Sequence, residues 1–187
     1  YWGASAAVDT FKVVYNSIVF LVYSKTEKLL RPTYLPLFVK HRDQGREREA
    51  WQFFSASSTL VFIVLTVISG ACMLWADSLI RIGWPELALN NLPLAVDLLR
   101  ISSLAMLLLV MSVMCELTLH AYKRFTAPAL ADALRQVALV GTIGALIGYG
   151  IYPGGSPEGI RAAAWGVLLG GATRLVVQLP ALWRRLG

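Results

Sequence analysis

The sequence predicts an all-α protein, a polytopic bundle of membrane-spanning helices. Of its 187 residues, 57% are hydrophobic and only 15% are charged, whereas soluble domains average about 45–50% apolar and about 25% charged residues. The charged residues are clustered between long apolar runs, which is the pattern of a chain that crosses a bilayer several times. The clearest run, 50–76, carries no charge and is longer than the about 20 residues that a helix needs to cross the hydrocarbon core.

The whole chain, 1–187, is expected to form a single transmembrane domain of about five spans. These spans are predicted at about 7–40, 50–76, 98–121, 129–152 and 162–183. Pro32 and Pro36 interrupt the first span, so we expect a long helix that is kinked there. The segment 77–97 contains prolines and paired asparagines and is predicted to be a mixed loop.

Two further expectations concern the fourth span. Thr126 precedes Pro128, so we expect the threonine to cap this helix and the proline to lie in its first turn. Gly141, Gly144 and Gly148 are expected to permit close packing against a neighbouring helix.

The basic residues predict the orientation of the chain. The net charge is +6, and the basic residues gather at 40–49, 122–124 and 184–185, which lie on one side of a five-span bundle. Basic loops favour the cytoplasmic face, so these three segments are predicted to be cytoplasmic and the N-terminus external. Because topology accounts for the positive charge, no nucleic-acid partner is predicted.

Charged residues inside the first span are the strongest indication of function. Lys25, Lys28 and Arg31 follow one another at i, i+3 and i+6, so they lie close to one face of a helix. Charged groups at bilayer depth usually face a cavity or a partner, which favours the lining of a polar cavity in a transporter. The alternative is that these side chains reach the lipid headgroups where the helix bends. Glu27 can neutralise Lys28 or Arg31 within the same helix, and both this structural role and a role in ion coupling remain open for it.

A second group of charges lies in the later spans. Arg174 lies near the middle of the last span, and Glu116, Asp132 and Arg135 lie within roughly 10–20 Å of the cytoplasmic side at 1.5 Å per helical residue. Two interpretations remain open at this point: a buried structural network, or a role in binding the substrate or a coupling ion.

The sequence offers no signature of catalysis. Cys72 and Cys115 lie in apolar runs without metal-ligand spacing, and no nucleophile–base pair or phosphate-binding glycine loop is visible. The expectation is therefore a protein that is not an enzyme and has neither a metal nor a cofactor.

Four motifs occur in a fixed order and spacing along the chain. They are Gly3-Ala4-Ser5 with Asp9-Thr10-Phe11, Glu27 with Tyr34-Leu35-Pro36, Tyr122-Lys123-Arg124-Phe125-Thr126-Ala127-Pro128, and Gly170-Gly171 with Gln178-Leu179-Pro180-Ala181-Leu182. Together they resemble the MurJ/MviN lipid II flippases of the multidrug/oligosaccharidyl-lipid/polysaccharide exporter superfamily.

The resemblance implies the fold and the partners. The chain would be helices two to six of a six-helix N-terminal lobe that lacks its first helix, paired with a second lobe of the same protein. A cationic cavity between the lobes would carry an undecaprenyl-pyrophosphate-linked glycan, most commonly lipid II, across the bacterial cytoplasmic (inner) membrane. A pyrophosphate–sugar head cannot cross hydrocarbon unaided, so positive and hydrogen-bonding groups must shield it.

The chain departs from the family pattern on the second helix. Typical members carry a P-N…R-R pattern whose arginines face the cavity, whereas the matching positions here are Ile18-Val19 and Val22-Tyr23. Lys25, Lys28 and Arg31, about one turn downstream, are the predicted substitutes, and Arg174 is a further candidate substrate-binding residue.

The departure leaves two alternatives open. One is an exporter of another polyprenyl-linked glycan, such as an O-antigen or exopolysaccharide unit. The other is a non-transporting membrane scaffold for envelope synthesis.

Overall fold

The structure, a computed structural model, describes residues 6–152 and 157–183, which form seven α-helices joined by short turns. The helices are α1 (Ala6–Val14), α2 (Leu21–Asp43), α3 (Glu47–Leu74), α4 (Ala76–Gly83), α5 (Pro85–Ala121), α6 (Thr126–Gly148) and α7 (Ile160–Trp183). A π-helical turn, Tyr15–Phe20, joins α1 to α2, and a 3-10 turn, Pro157–Gly159, precedes α7. No strand occurs among the described residues, and the predicted all-α class is confirmed.

Three predicted features lie outside the described residues. They are the motif Gly3-Ala4-Ser5, the turn at 153–156 and the basic pair Arg184-Arg185.

Four helices are long and apolar enough to cross a membrane. They are Glu47–Leu74, Asn91–Ala121, Thr126–Gly148 and Ile160–Trp183. The predicted first span, 7–40, is helical throughout as α1, the π-helical turn and α2, but its charged residues keep it out of this group. The protein is therefore a multi-pass membrane bundle, and the fifth crossing remains a prediction.

Helix α5 forms the centre of the bundle. It contacts each of the other six described helices, and most of its apolar span is buried. By contrast, α3 and α6 expose most of their apolar surface, as expected for helices whose outer faces meet lipid rather than water.

The prediction of a loop at 77–97 is wrong. These residues form α4 and the first turns of α5, which is broken at Asn91 (φ −162°, ψ 70°). The Asn91 side chain accepts a hydrogen bond from the Leu94 amide at 3.4 Å and so caps the continuing helix. The prolines and asparagines therefore mark a break between two helical pieces, not a loop.

The predicted cap of the fourth helix is also wrong. Helix α6 begins at Thr126 itself, Phe125 is the cap residue, and no side chain caps this end. Pro128 does lie in the first turn, as predicted. The helix ends earlier than expected because Gly150 adopts a positive φ of 71°, and the Ile151 amide bonds back to Leu146 at 3.0 Å, which closes the last turn.

Glycines do bring α6 and α7 together, but they are not the predicted ones. A Cβ at Gly141, Gly144 or Gly148 of α6 meets no described atom within 4 Å, so their predicted packing role is not seen in the described chain. Instead, Gly166 and Gly170 of α7 lie against α6. A Cβ at Gly170 would be 3.1 Å from the carbonyl oxygen of Arg135, so a side chain at this position would push the backbone of α6 away by a few tenths of an ångström.

Replacing Gly170 with alanine should lower the thermal midpoint of the protein in detergent. Overpacking typically costs about 1–3 kcal/mol, and here the obstacle is backbone that cannot rotate away. The matched control is Gly144→Ala, which adds the same methyl group in open space and should gain up to about 1 kcal/mol of helix propensity. Midpoints that rise equally in both variants would contradict close packing at Gly170.

Aromatic contacts fix α2 against α5 near the predicted cytoplasmic end. The Tyr34 hydroxyl lies 2.8 Å from the Thr118 hydroxyl, and its ring stacks on Phe53 of α3 at 5.5 Å. Phe38, one turn later, is fully buried. This attachment sets the rotation of α2, and Arg31, about one turn before Tyr34, approaches Glu116 of α5.

Candidate functional site

Arg174 is the centre of the candidate site. Its side chain on α7 is only 4% exposed, and it reaches carboxylates on two different helices. Its Nη2 donates to Glu116 Oε2 of α5 at 2.7 Å, and its Nε lies 2.8 Å from Asp132 Oδ1 of α6. The Nε approach is close but poorly aligned for a hydrogen bond, so this second contact is chiefly Coulombic. Arg174 thus ties α5, α6 and α7 together.

Two neutral groups complete the environment of this guanidinium. Its Nη1 donates to Ser112 Oγ at 3.0 Å and to the Tyr23 hydroxyl at 3.3 Å. The Tyr23 ring also lies under the cation, 5.8 Å from the guanidinium carbon to the ring centroid. Because Tyr23 is on α2, the contacts of Arg174 link α7 to three other helices, α2, α5 and α6.

The ion pairs continue outward on both sides of Arg174. On the α2 side, Arg31 bonds Glu27 at 2.8 Å and approaches Glu116 at 3.9 Å. On the α6 side, Arg135 approaches Asp132 at 3.8 Å. These contacts form one ion-pair chain of alternating charge, ordered Glu27, Arg31, Glu116, Arg174, Asp132 and Arg135. His120 lies beside it, with Nδ1 at 3.9 Å from Glu116.

The ion-pair chain is electrically balanced. Three guanidinium groups face three carboxylates, so the set carries no net charge while His120 is neutral. Burial of charge is tolerable when each group is paired in this way, and removal of one member leaves another uncompensated. The arrangement is therefore suited to holding helices in register.

Local sequence spacing explains why these residues meet. Ser112 and Glu116 are one turn apart on α5, so both point toward α7. Arg174 follows Gly170 by one turn, at the point where α7 lies against the Arg135 backbone. The close approach of α6 and α7 is what brings the Asp132 carboxylate within reach of Arg174.

The predicted substrate-binding residues divide into two groups. Arg31 and Arg174 belong to the ion-pair chain. Lys25 and Lys28 are exposed on α2 and form no ion pair with another described residue. Two surface cations without a carboxylate partner in the described part of the chain therefore lie next to a neutral network.

A cavity of about 160 Å³ opens beside Arg174. Its lining combines apolar side chains of the π-helical turn with charged ones of α6 and α7: Tyr15, Val19, Phe20, Tyr23, Leu109, Asp132, Arg135 and Arg174. A neighbouring cleft of about 410 Å³ shares Tyr15 and Arg135. The π-helical turn thus forms one wall of the cavity, and such turns are frequent at functional sites.

Several members of the site escape prediction from the sequence. Tyr23 and Ser112 lie within apolar runs, although each precedes a glutamate by one helical turn, Glu27 and Glu116 respectively. Gln178, one turn after Arg174, is fully buried, and neither atom of its amide group has a hydrogen-bond partner in the described chain. Its i, i+4 spacing from Arg174 is the signal that could have found it. Within the described ranges, no cluster of three or more potential metal ligands occurs.

The comparison with known proteins identifies the family. The family model described as "Lipid II flippase MurJ" matches residues 1–187, the full length of the chain. The chain belongs to the MurJ lipid II flippase family.

The similarity to individual MurJ proteins is low but extends along the chain. This chain is 23% identical over 185 residues to the probable lipid II flippase MurJ of Buchnera aphidicola subsp. Schizaphis graminum, and the aligned region covers 98% of this chain and 35% of that protein. It is 26% identical over 184 residues to the lipid II flippase MurJ of Burkholderia cenocepacia, covering 97% and 34%. The chain therefore spans about a third of the length of these MurJ relatives.

The structure also clarifies the departure from the MurJ pattern. Val19 and Tyr23, at the positions expected to match the P-N…R-R pattern, line the cavity. The guanidinium beside Tyr23 comes from Arg174 of α7 instead.

Proposed function

We propose that this chain is part of a flippase that moves lipid II across the bacterial inner membrane by alternating access, without covalent chemistry. The family match over the whole chain supports this substrate over the other polyprenyl-linked glycans and over a scaffold role. The proposal includes a second lobe of the same protein, because the relatives are about three times longer than the chain.

One structural observation carries the assignment of the headgroup site. Lys25 and Lys28 are exposed and lack an ion-pair partner among the described residues, whereas each arginine of the neighbouring ion-pair chain is matched by a carboxylate. An anionic pyrophosphate gains most from cations that are not already neutralised. We assign Lys25 and Lys28 to the pyrophosphate, with Arg31 shared between this site and Glu116.

Arg174 has a different role in this proposal. Its charge is balanced by Glu116 and Asp132, so it positions α2, α5 and α6 around the cavity rather than supplying free charge to the substrate. Arg31 contacts the same Glu116. Because Arg31 belongs to the pyrophosphate site and also contacts Glu116, substrate binding there changes the contacts of Glu116 and, through it, those of Arg174.

The orientation in the proposal follows the basic loops. The segments 40–49 and 122–124 and the C-terminus lie in the cytoplasm, so the α2 lysines are near the face where lipid II is made available.

The test is replacement of an essential flippase by the full-length protein. Expressed in a bacterium depleted of its own MurJ, it should restore growth and restore labelling of lipid II at the outer face of the membrane. A full-length protein that reaches normal levels but exposes no lipid II would overturn the substrate assignment. Recovery of an O-antigen or exopolysaccharide defect instead would favour the other glycan exporters.

A further inference from the structure

Helix α4 presents three chemically distinct sectors around its short length. One sector packs on the bundle: Ala76 and Ile80, one turn apart, are completely buried in the same apolar cluster as Leu98 of α5. A second sector is charged and exposed, with Asp77 and Arg81.

The third sector is apolar and exposed. Ile82 is 83% exposed and Leu79 is 39% exposed, and at about 100° per residue both lie on the side opposite Asp77 and Arg81. A helix surrounded by water would not leave the apolar sector exposed. A helix surrounded by hydrocarbon would not leave the charged sector exposed. The three sectors match three media: protein, hydrocarbon and water.

The apolar sector continues a surface that already faces lipid. Leu74 is 78% exposed at the end of the membrane-spanning helix α3, and Trp75, 61% exposed, connects it directly to α4. Exposed tryptophan at this position is typical of a membrane–water boundary. On the polar side, Arg81 bonds Asp77 at 2.7 Å, so both charges are satisfied where they meet water.

We propose that α4 is an interfacial anchor that lies in the membrane surface, with Leu79 and Ile82 inserted among the lipid acyl chains and Asp77 and Arg81 in the headgroup water. The occupant of the exposed apolar sector is the lipid bilayer itself. This inference does not depend on which substrate the protein carries.

The anchor also sets the depth of the bundle in the membrane. Leu98 lies at the level of α4, and a hydrocarbon core of about 30 Å corresponds to about 20 residues of helix from there. That distance along α5 ends close to Glu116, so the ion-pair chain lies near the opposite boundary of the hydrocarbon.

The experiment measures the surroundings of spin labels on α4. Single cysteines are placed at Ile82, Leu79 and Asp77 in the full-length protein, after Cys72, Cys115 and any other native cysteine are replaced by alanine. The protein is reconstituted in vesicles of phosphatidylcholine and phosphatidylglycerol. Collision rates with oxygen, which concentrates in hydrocarbon, and with a water-soluble nickel chelate are then compared.

Labels at Ile82 and Leu79 should collide several-fold more often with oxygen than with the nickel chelate, as should a hydrocarbon reference label at Val67 of α3. The label at Asp77 should show the reverse preference. High nickel collision at Ile82 and Leu79 would overturn the proposal by placing the sector in water. Low collision with both reagents would overturn it by showing that another part of the protein covers the sector.

Discussion

Replacing Arg174 with methionine is expected to lower the thermal midpoint of the full-length protein in detergent by a large amount. The variant leaves the Glu116 carboxylate, which is 13% exposed, without its strongest partner. Removing one member of a buried pair typically costs about 3–5 kcal/mol, because the remaining charge is neither solvated nor matched. Asp132 contributes less to this loss, since its carboxylate is half-exposed and can be solvated. The measurement is a thermal unfolding curve of each purified variant.

Two companion variants separate this mechanism from a general loss of packing. Arg174→Met combined with Glu116→Gln removes the stranded charge and should recover much of the lost stability. Arg81→Ala breaks an ion pair that is fully exposed on α4 and should leave the midpoint unchanged. An unchanged midpoint in Arg174→Met would show that the arginine does not hold the helices together, and would favour its direct use by the substrate.

Replacing both Lys25 and Lys28 with glutamine is expected to abolish growth in a MurJ-depleted strain while the protein level and thermal midpoint stay normal. Both side chains are exposed and unpaired among the described residues, so folding does not depend on them. Charge-assisted hydrogen bonds contribute about 1.5–3 kcal/mol each. Loss of the bonds of one lysine should therefore weaken pyrophosphate binding by roughly 10-fold to 100-fold, and loss of both lysines should weaken it by the product of the two factors.

The controls for this variant test charge and location separately. Lys25→Arg with Lys28→Arg keeps both cations and should retain growth. Lys12→Gln removes an exposed lysine from α1 that pairs only loosely with Asp9, at 3.9 Å, and should also grow normally. Normal growth of the double glutamine variant would refute the assigned headgroup site and favour an interfacial role for these lysines.

Much of the architecture is predictable because hydrophobicity is a local property of the sequence. The uncharged run at 50–76 corresponds to α3, and the last predicted span, 162–183, differs from α7 by two residues at its start. The surface pair Asp9–Lys12 follows from i, i+3 spacing alone and is present. These features depend on contacts within one helix or on the composition of one segment.

Predictions fail where local signals are ambiguous. Prolines and asparagines at 77–97 are typical of loops, yet α4 forms there because Ala76 and Ile80 are buried against α5. The π-helical turn at Tyr15–Phe20 has no recognisable signature in its sequence, which contains neither proline nor glycine. The sequence favours the glycines of α6 for helix packing, whereas the close contact is made by those of α7. Composition shows that glycine is present, but only the neighbouring helix shows whether its missing side chain is needed.

The candidate site shows the same division most clearly. The sequence alone determined that Glu116 and Arg174 lie within apolar runs, and it predicted that Lys25 and Arg31 lie at bilayer depth, since charge is conspicuous next to long hydrophobic runs. Only the tertiary structure decided which of them are neutralised: Arg174 meets carboxylates 58 and 42 positions away in the chain, while Lys25 and Lys28 meet none in the described part of it. The reason is that the attraction between two charges depends on their separation, and for Arg174 this separation is set by the approach of α5, α6 and α7 near Gly170.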